Sequence, residues 1–464
     1  MISPFPKSSD LCALGVSTLA RMIVNREISP VELTEAVLMR IDGLQPQLNA
    51  FITVCHDEAL AAAKMAEDDL MSGNNRGALH GIPFSVKDLT LTKGVRTTMG
   101  SPLYKDFVPD NDAIPVARMK AAGGILIGKT TTPAFGHKPL TEGILFGRTN
   151  NPFDHALTCG GSSGGSAVAV ATGQGPISLG TDGGGSVRIP AACCGVVGLK
   201  PTLGVIPNIH VPDLFGSNSV IGPMGRTVKD VTIAFEAIAG ADKRDPYGQS
   251  PQQQKPFSIK GLRVGWLPKF GNKHVDLATM EAAEKATYSL EKMGATVKKT
   301  ALDFAALETS FLVILQSALC ARLDQAMHER HEDIDPSLAL TVEAGRLHSA
   351  VDLQRANADR SSAFQAVQAL FEEFDILMSP TLARPPLSTE QDPHGQVKIN
   401  GQEAGLIRGA WYPYTFGFNL TGHPAIAIPT GVAGNGTIPM SVQIAGPWNS
   451  EQLLLSVAQL LEQS

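Results

Sequence analysis

The chain has 464 residues, of which 43% are hydrophobic and 18% are charged, and its formal net charge is −6. This composition is that of a folded globular protein and excludes a disordered chain. No stripe of Lys and Arg indicates a nucleic-acid partner, and no run of about 18–20 apolar residues indicates a membrane segment. The six cysteines form no C-x-x-C pair and the N-terminus has no signal-peptide pattern, so we expect a reduced, cytoplasmic protein.

Helices are predicted for residues 17–71, and one helix start is well defined. Ser29, Pro30 and Glu32 supply an N-cap, a first-turn proline and a capping box. From Gly81 onward, short apolar strands alternate with helices. The strands are predicted at 82–86, 125–127, 177–179, 196–199 and 262–267, and the helices at 113–122 and 167–172. This alternation indicates an α/β layered fold with a parallel or mixed sheet.

The later part of the chain is predicted to be mostly helical before strands return. Residues 276–294 and 305–374 have helical patterns, whereas 381–406 contain Pro and Gly and are interpreted as a loop or lid. Two late strands and a closing helix are predicted at 425–428, 441–444 and 450–462.

Residues 123–130 match the phosphate-loop pattern G-x-x-x-x-G-K-[ST], but their context argues against phosphate binding. A phosphate loop needs a strand before its first glycine and a flexible loop between its two glycines. Here residues 125–127, between the glycines, are themselves the predicted strand, and a predicted helix precedes them. The pattern is therefore interpreted as a helix–strand junction.

A segment rich in Gly and Ser carries the main functional signal. Residues 160–166 read GGSSGGS and residues 182–190 read DGGGSVRIP. Consecutive glycines allow positive φ and gather backbone N–H groups into a concave nest beside Ser186. A serine hydroxyl next to such donors has the geometry of an acyl-transfer nucleophile with an oxyanion site. A flexible linker is the alternative, but apolar helices and strands flank both clusters, which argues against it.

A serine nucleophile needs a base, and the histidines do not supply an obvious one. No G-x-S-x-G elbow surrounds Ser186, and the 11 histidines show no metal-ligand spacing, so neither a metal nor an organic cofactor is expected. Lys87 ends the apolar strand at 82–86, and burial there would lower its pKa towards that of a useful base. Taken alone, a solvated lysine at a strand end is the simpler interpretation.

At these motifs the sequence resembles the amidase signature family. The resemblance runs from about residue 70 to the end of the chain, through GIPFSVKD at 81–88, GGSSGGS at 160–166, DGGGSVRIP at 182–190, GVVGLKP at 195–201, GPMGRTV at 222–228 and FNLTGHPA at 418–425. It implies one α/β/α layered domain over residues 1–464, with a large mixed central sheet flanked by helices. The signature core would span 70–230, and 276–400 would add a helical cap or lid.

The resemblance also implies a catalytic triad. Ser186 would be the acylated nucleophile, Ser162 the bridging serine on a cis peptide, and Lys87 the terminal base. The oxyanion hole would consist of the backbone N–H groups of Gly183, Gly184, Gly185 and Ser186. The residues that would support these groups are Ser163, Asp182 and Arg188. Gly184 stands where the family frequently has threonine.

The implied activity is hydrolysis of an amide-type C–N bond, with amides, anilides, carbamates (urethanes) and ureido compounds as open alternatives for a small-molecule substrate. A fairly apolar pocket is expected from the aromatic residues Phe135, Phe146, Trp411, Tyr412, Tyr414 and Phe416. The alternative function is the A subunit of a tRNA-dependent amidotransferase complex, although its subunit-specific C-terminal region is not recognised in this sequence. A homodimer is compatible with the sequence, which leaves the oligomeric state open.

Overall fold

The computed structural model describes residues 4–7, 10–252, 257–433 and 436–464. The α-helices over these ranges are α1 (Val16–Val24), α2 (Pro30–Leu48), α3 (His56–Met71), α4 (Ile114–Ala121), α5 (Gly164–Ala171), α6 (Arg188–Cys194), α7 (Val228–Ile238), α8 (Leu277–Met293), α9 (Leu307–Glu329), α10 (Pro336–Arg346), α11 (Ala350–Glu373), α12 (Ile407–Trp411), α13 (Phe416–Leu420) and α14 (Glu451–Glu462). No helix within the described ranges combines the length and the apolar character that crossing a membrane requires.

The strands over the same ranges are β1 (Phe51–Val54), β2 (Pro83–Lys87), β3 (Ile125–Thr130), β4 (Glu142–Gly143), β5 (Gly147–Arg148), β6 (Ile177–Asp182), β7 (Val197–Lys200), β8 (Val220–Gly225), β9 (Arg263–Trp266), β10 (Thr296–Lys299), β11 (Ile376–Pro380), β12 (Gln396–Ile399), β13 (Gln402–Leu406), β14 (Ala425–Ala433) and β15 (Ile438–Ala445). Eleven of them form the central sheet, in the order β1-β3-β2-β6-β8-β7-β14-β15-β11-β9-β10.

The central sheet is mixed, as the sequence predicts. Strand β2 pairs in parallel with both β3 and β6, and β9 pairs in parallel with β10 and β11. The remaining neighbours, from β6 through β8, β7, β14 and β15 to β11, are antiparallel, as is β1 with β3. The predicted α/β layered fold is therefore confirmed.

The parallel strands β2 and β6 position the site. Their registers align Val86 with Leu179, so the carboxyl ends of both strands reach the same edge of the sheet. Helix α5 packs against β2, β3, β6 and β8, and all of its residues are buried. Small residues such as Gly164 and Gly165 allow this close packing, because a Cβ on Gly165 would lie 2.3 Å from Thr131 Oγ1.

The structure agrees with most of the predicted elements and adds some that the sequence pattern did not indicate. The capping box of Ser29 and Glu32 is present at the start of α2. Strand β1 lies inside the region predicted to be helical. Strand β3 contains Gly128, Lys129 and Thr130, which agrees with the interpretation of the phosphate-loop match as a helix–strand junction.

The region at 276–400 is more than a helical cap. Helices α9, α10 and α11 pack on one another, but β10 and β11 from the same region belong to the central sheet. The segment at 381–406, interpreted as a loop or lid, ends in the β12–β13 hairpin.

Candidate active site

Lys87 is the last residue of β2, and its side chain is completely buried. Its Nζ lies 2.7 Å from Ser162 Oγ, 2.9 Å from Thr181 Oγ1 and 3.5 Å from the Thr181 carbonyl oxygen. Burial lowers the pKa of Lys87 well below its ordinary value, and the charge of Asp182 opposes this only in part. The neutral amine is thereby favoured, and its lone pair can accept a proton from a neighbouring hydroxyl.

Ser162 belongs to the first Gly/Ser motif, which packs against the second. The peptide bond between Gly161 and Ser162 is cis, as the family resemblance implies. The next residue, Ser163, donates its backbone N–H to the Ser186 carbonyl oxygen at 3.1 Å. The Ser163 Oγ donates to the Thr181 carbonyl oxygen at 3.2 Å. These bonds hold the first motif against both the end of β6 and the turn that carries Ser186.

Ser186 is partly exposed and, together with Ser162, lines a cavity of about 160 Å³. Gly183 and Gly184 line the same cavity. The structure therefore brings together the predicted nucleophile, the predicted bridging serine and part of the predicted oxyanion hole. Lys87 reaches this group through its contact with Ser162.

Gly185 differs from the other predicted oxyanion donors. Its φ of 122° is in the left-handed region that glycine favours, and its N–H donates to Asp182 Oδ1 at 2.7 Å. Over the described ranges, the N–H groups of Gly183, Gly184 and Ser186 have no such internal acceptor. The prediction that Gly185 is an oxyanion donor therefore needs correction, because Asp182 occupies its N–H group.

Asp182 and Arg188 form a buried ion pair beneath this turn. The Nε and Nη2 of Arg188 each donate to the Asp182 carboxylate at 3.0 Å. Arg188 also donates from Nη1 to Gln443 Oε1 at 2.6 Å and from Nη2 to Asn419 Oδ1 at 2.7 Å. Burial by itself raises the pKa of Asp182, but the charge and hydrogen bonds of Arg188, with those of Asn419, hold it well below its usual range. The carboxylate is thus a fixed acceptor that shapes the glycine turn.

The cavity wall differs in part from the predicted aromatic pocket. Phe135 and Tyr412 line the cavity, but Phe146, Trp411, Tyr414 and Phe416 do not. Phe146 lies at the turn between β4 and β5, where its carbonyl oxygen accepts from Asn49. Trp411 and Tyr414 are core residues, whose polar atoms donate to the carbonyl oxygens of Arg384 and Pro268. The predictions that Phe146, Trp411, Tyr414 and Phe416 line the pocket are therefore wrong.

Phe311 and Arg408 are the wall residues that the sequence did not reveal. They come from α9 and from the α12 region, far from the signature motifs in the sequence. A Cβ on Gly184 would lie 2.7 Å from Phe311 Cζ, so the phenyl ring occupies the space that a threonine side chain would need there. Neither spacing nor hydrophobic pattern distinguishes Phe311 from an ordinary core residue.

A second, larger cavity of about 650 Å³ adjoins the first. The two share the lining residues Leu89, Phe135, Thr181, Asn218, Ser219 and Leu315. Apolar side chains of α9 form part of its wall, and Arg322 lies there with its guanidinium 4.7 Å from the centroid of the Phe135 ring. Together the cavities offer room for a substrate that has a small part at Ser186 and a larger part beyond it. Among the described residues, no group of three or more His, Cys, Asp or Glu side chains could hold a metal ion.

Comparison with known proteins identifies relatives that span almost the whole chain. An acylamidase from Rhodococcus erythropolis is 33% identical over 453 residues, covering 96% of this chain and 94% of that protein. The A subunit of the glutamyl-tRNA(Gln) amidotransferase of Geotalea daltonii is 32% identical over 485 residues, covering 98% of each chain. The crystal structure of a bacterial aryl acylamidase of the amidase signature family has a TM-score of 0.89 at 27% identity, covering 97% of this chain and 96% of that one.

The fold and these relatives define an amide-hydrolysing enzyme. The chain belongs to the amidase signature family, since it matches the family described as Amidase over residues 32–455. The predicted family membership and the predicted class of enzyme are thereby confirmed.

Proposed function

We propose that this enzyme hydrolyses an amide-type C–N bond through an acyl-enzyme on Ser186, with Ser162 and Lys87 as a proton relay. The observation that carries the proposal is the 2.7 Å contact between the buried Lys87 Nζ and Ser162 Oγ, in a cavity that Ser186 also lines. A lysine without a neighbouring carboxylate partner, held among hydroxyl and carbonyl oxygens, is suited to act as a neutral base.

The relay runs in two directions. In acylation, Ser162 passes its proton to Lys87 and takes the proton of Ser186, whose Oγ attacks the carbonyl carbon. The N–H groups of Gly183, Gly184 and Ser186 are donors that would stabilise the negative oxygen of the tetrahedral intermediate. The proton then returns through Ser162 to the leaving nitrogen as the C–N bond breaks. Water attacks the ester in the second half-reaction, its proton enters the relay, and the carboxylic acid leaves as Ser186 is reprotonated.

The substrate that we propose is a small, fairly hydrophobic amide or anilide, and carbamates (urethanes) are a further candidate class. The apolar side chains of Leu89, Phe135, Phe311 and Leu315 support this choice. The resemblance to an acylamidase and to an aryl acylamidase supports an amide or anilide more than a carbamate. All six cysteines are free thiols, which supports the cytoplasmic location that we also propose.

The second candidate function is that of the A subunit of a tRNA-dependent amidotransferase. The similarity to the Geotalea daltonii protein, at 32% identity over 98% of each chain, favours it as strongly as the acylamidase favours a free-standing enzyme. Release of aniline from an anilide by the purified chain alone would favour the free-standing hydrolase. Activity only with partner subunits and glutamyl-tRNA would favour the transferase.

Acylation of Ser186 is the test of the mechanism. Incubation with a 4-nitrophenyl ester is expected to add one acyl mass to the parent protein, located by peptide mapping at Ser186. The Ser186→Ala variant is expected to keep its fold, lose the label and lose at least about 10⁴-fold in kcat for an anilide. The matched variant Ser361→Ala, in the exposed part of α11, should take the label normally. Full anilide hydrolysis by Ser186→Ala would overturn the proposal.

A further inference from the structure

Arg408 is a charged residue in the catalytic cavity that the relay does not use. It lies in α12 and lines the cavity together with Ser186. Its guanidinium carbon is 5.0 Å from the Phe311 ring centroid and 5.7 Å from that of Tyr412. Its Nε is buried and, among the described residues, has no hydrogen-bond partner. Among the described residues, the guanidinium also has no carboxylate within ion-pair distance, so it can receive an acceptor from a ligand in the cavity that it lines.

The charges around Arg408 favour an anion. The side chains that line this cavity include the cations Lys138 and Arg408 but no carboxylate. Glu308 is the acidic neighbour of Arg408 and offsets part of its charge, but it forms no ion pair with the guanidinium, and its Oε1 accepts the N–H of Gly409 at 3.2 Å. The hydroxyl of Tyr412 also interacts with Arg408 but carries no charge that would neutralise the guanidinium. Lys138 is already engaged, with Glu142 at 3.5 Å and Asp335 at 3.7 Å. Arg408 is therefore the cation that offers a donor to a bound group.

The relay indicates which part of a substrate would reach Arg408. The leaving nitrogen receives its proton from Ser162, so the amine portion must lie on the side of Ser162. Ser162 and Leu89 lie close together, because a Cβ placed on Gly136 would be 3.0 Å from Ser162 Oγ and 2.9 Å from Leu89 Cδ1. Leu89 lines the larger cavity as well as the smaller one. The amine portion is thus directed to the larger cavity. The acyl portion is left at the other end, where Phe311 lies beside Gly184 and Arg408 lies over the Phe311 ring.

We propose that Arg408 binds a carboxylate on the acyl portion of the substrate. On this view the preferred substrates are N-substituted monoamides of short dicarboxylic acids, with a small anionic acyl group at Arg408 and a larger apolar amine in the second cavity. The carboxylate accepts charge-assisted hydrogen bonds from the guanidinium, whose orientation is fixed by stacking on Phe311 and Tyr412. The inference rests on the proposed amide hydrolysis and adds the class of acyl group to it.

The experiment compares N-phenylsuccinamate with its neutral carboxamide analogue, N-phenylsuccinamide, by aniline release. The parent enzyme is expected to favour the carboxylate by at least about 10-fold in kcat/KM. Arg408→Gln should reduce this preference to about 1, chiefly through KM for the carboxylate substrate, and Arg408→Lys should retain part of it. The matched control is Arg355→Gln on the exposed side of α11, outside both cavities, which should keep the parental preference.

The possible outcomes separate this inference from the proposed function. Cleavage of both anilides without a preference for the carboxylate would overturn the role of Arg408 and leave amide hydrolysis standing. A folded Arg408→Gln variant that still prefers the carboxylate substrate as strongly as the parent would also overturn the role of Arg408 and leave amide hydrolysis standing. If the purified enzyme released aniline from neither anilide nor from acetanilide, the proposed function would fail, and this inference with it. Because the parent enzyme alone supplies the first comparison, the test does not depend on the variants folding.

Discussion

Two regions of the molecule meet at Ser186, and they are built in different ways. The relay region consists of the end of β2 and the turns at 160–166 and 182–188, where polar atoms are held at hydrogen-bond distances such as the 2.7 Å between Lys87 and Ser162. The wall region consists of Phe311, Arg408 and Tyr412, which contact the cavity with rings and a guanidinium group. The first region sets proton positions and the second sets shape and charge. Changes in the relay should therefore affect kcat, and changes in the wall should affect the choice of substrate.

Among changes that leave the nucleophile Ser186 in place, the largest effect is expected from Lys87→Met, which removes the base and leaves the apolar stem. We expect a loss of about 10³–10⁴-fold in kcat with little change in KM for an anilide. Lys129→Met is the matched control, since Lys129 is an equally buried lysine on the neighbouring strand β3, with its Nζ 3.8 Å from the Asp88 carboxylate. Lys129→Met should lower the free energy of unfolding, because the buried Asp88 carboxylate loses its ion-pair partner. Its kcat should stay within a few fold of that of the parent enzyme. Equal losses of kcat in both variants would remove the distinction between the relay and its surroundings.

The pH dependence of the rate should belong to the relay region alone. Protonated Lys87 cannot accept a proton, so kcat/KM should rise with pH through the pKa of Lys87, which burial holds well below its ordinary value of 10.5. Between the lowered pKa of Lys87 in the folded protein and its ordinary pKa in the unfolded chain, the unfolded chain binds more protons than the folded protein. The free energy of unfolding should therefore increase with pH in that window. The rising limb of the rate should persist in Lys129→Met. A rate that falls as pH rises from neutral would contradict lysine as the base.

Gly184→Ala is expected to have a medium effect, because the two regions touch at this residue. The new Cβ would lie 2.7 Å from Phe311 Cζ, whereas a Cβ on Gly183 would have its nearest neighbour, Ser219 Cβ, at an ordinary 3.6 Å. Overpacking of this kind costs about 1–3 kcal/mol, so Gly184→Ala should lose about 10–100-fold in kcat/KM, and Gly183→Ala should lose less. Phe311→Leu combined with Gly184→Ala should restore part of the activity. A double variant no better than Gly184→Ala would show that the ring is not the cause.

The smallest effect is expected just behind the wall, at Tyr414. Its hydroxyl donates to the Pro268 carbonyl oxygen at 2.8 Å, and the residue does not line the cavity. Tyr414→Phe should therefore cost about 0.5–1.5 kcal/mol of unfolding free energy and leave kcat/KM within about twofold of the parent. Denaturant unfolding and anilide kinetics measure the two quantities. A large rise in KM would return Tyr414 to the pocket predicted from the sequence.

Much of the relay region could be predicted from the sequence because its parts lie in short, distinctive motifs. Three consecutive glycines before Ser186 indicate a turn with several backbone donors, and the strand ending at Lys87 indicates a lysine at the sheet edge. Only the family resemblance predicted that these motifs come together to form one active site. The structure then added the reason that Gly185 differs from its neighbours, since its N–H donates to Asp182.

Most of the wall region could not be predicted, because its residues are brought together only by the fold. Trp411 and Tyr414 are as aromatic as Tyr412, and only the path of the chain after α12 decides which of these side chains faces the cavity. Phe311 and Arg408 are 97 positions apart in the sequence (408 − 311) and contact each other only because α9 and α12 pack around the same cavity. Local composition thus determined the α/β alternation and the glycine turn, which depend on neighbouring residues. Tertiary packing decided the cavity, its charge and the burial of Lys87, which depend on elements that are distant in the chain.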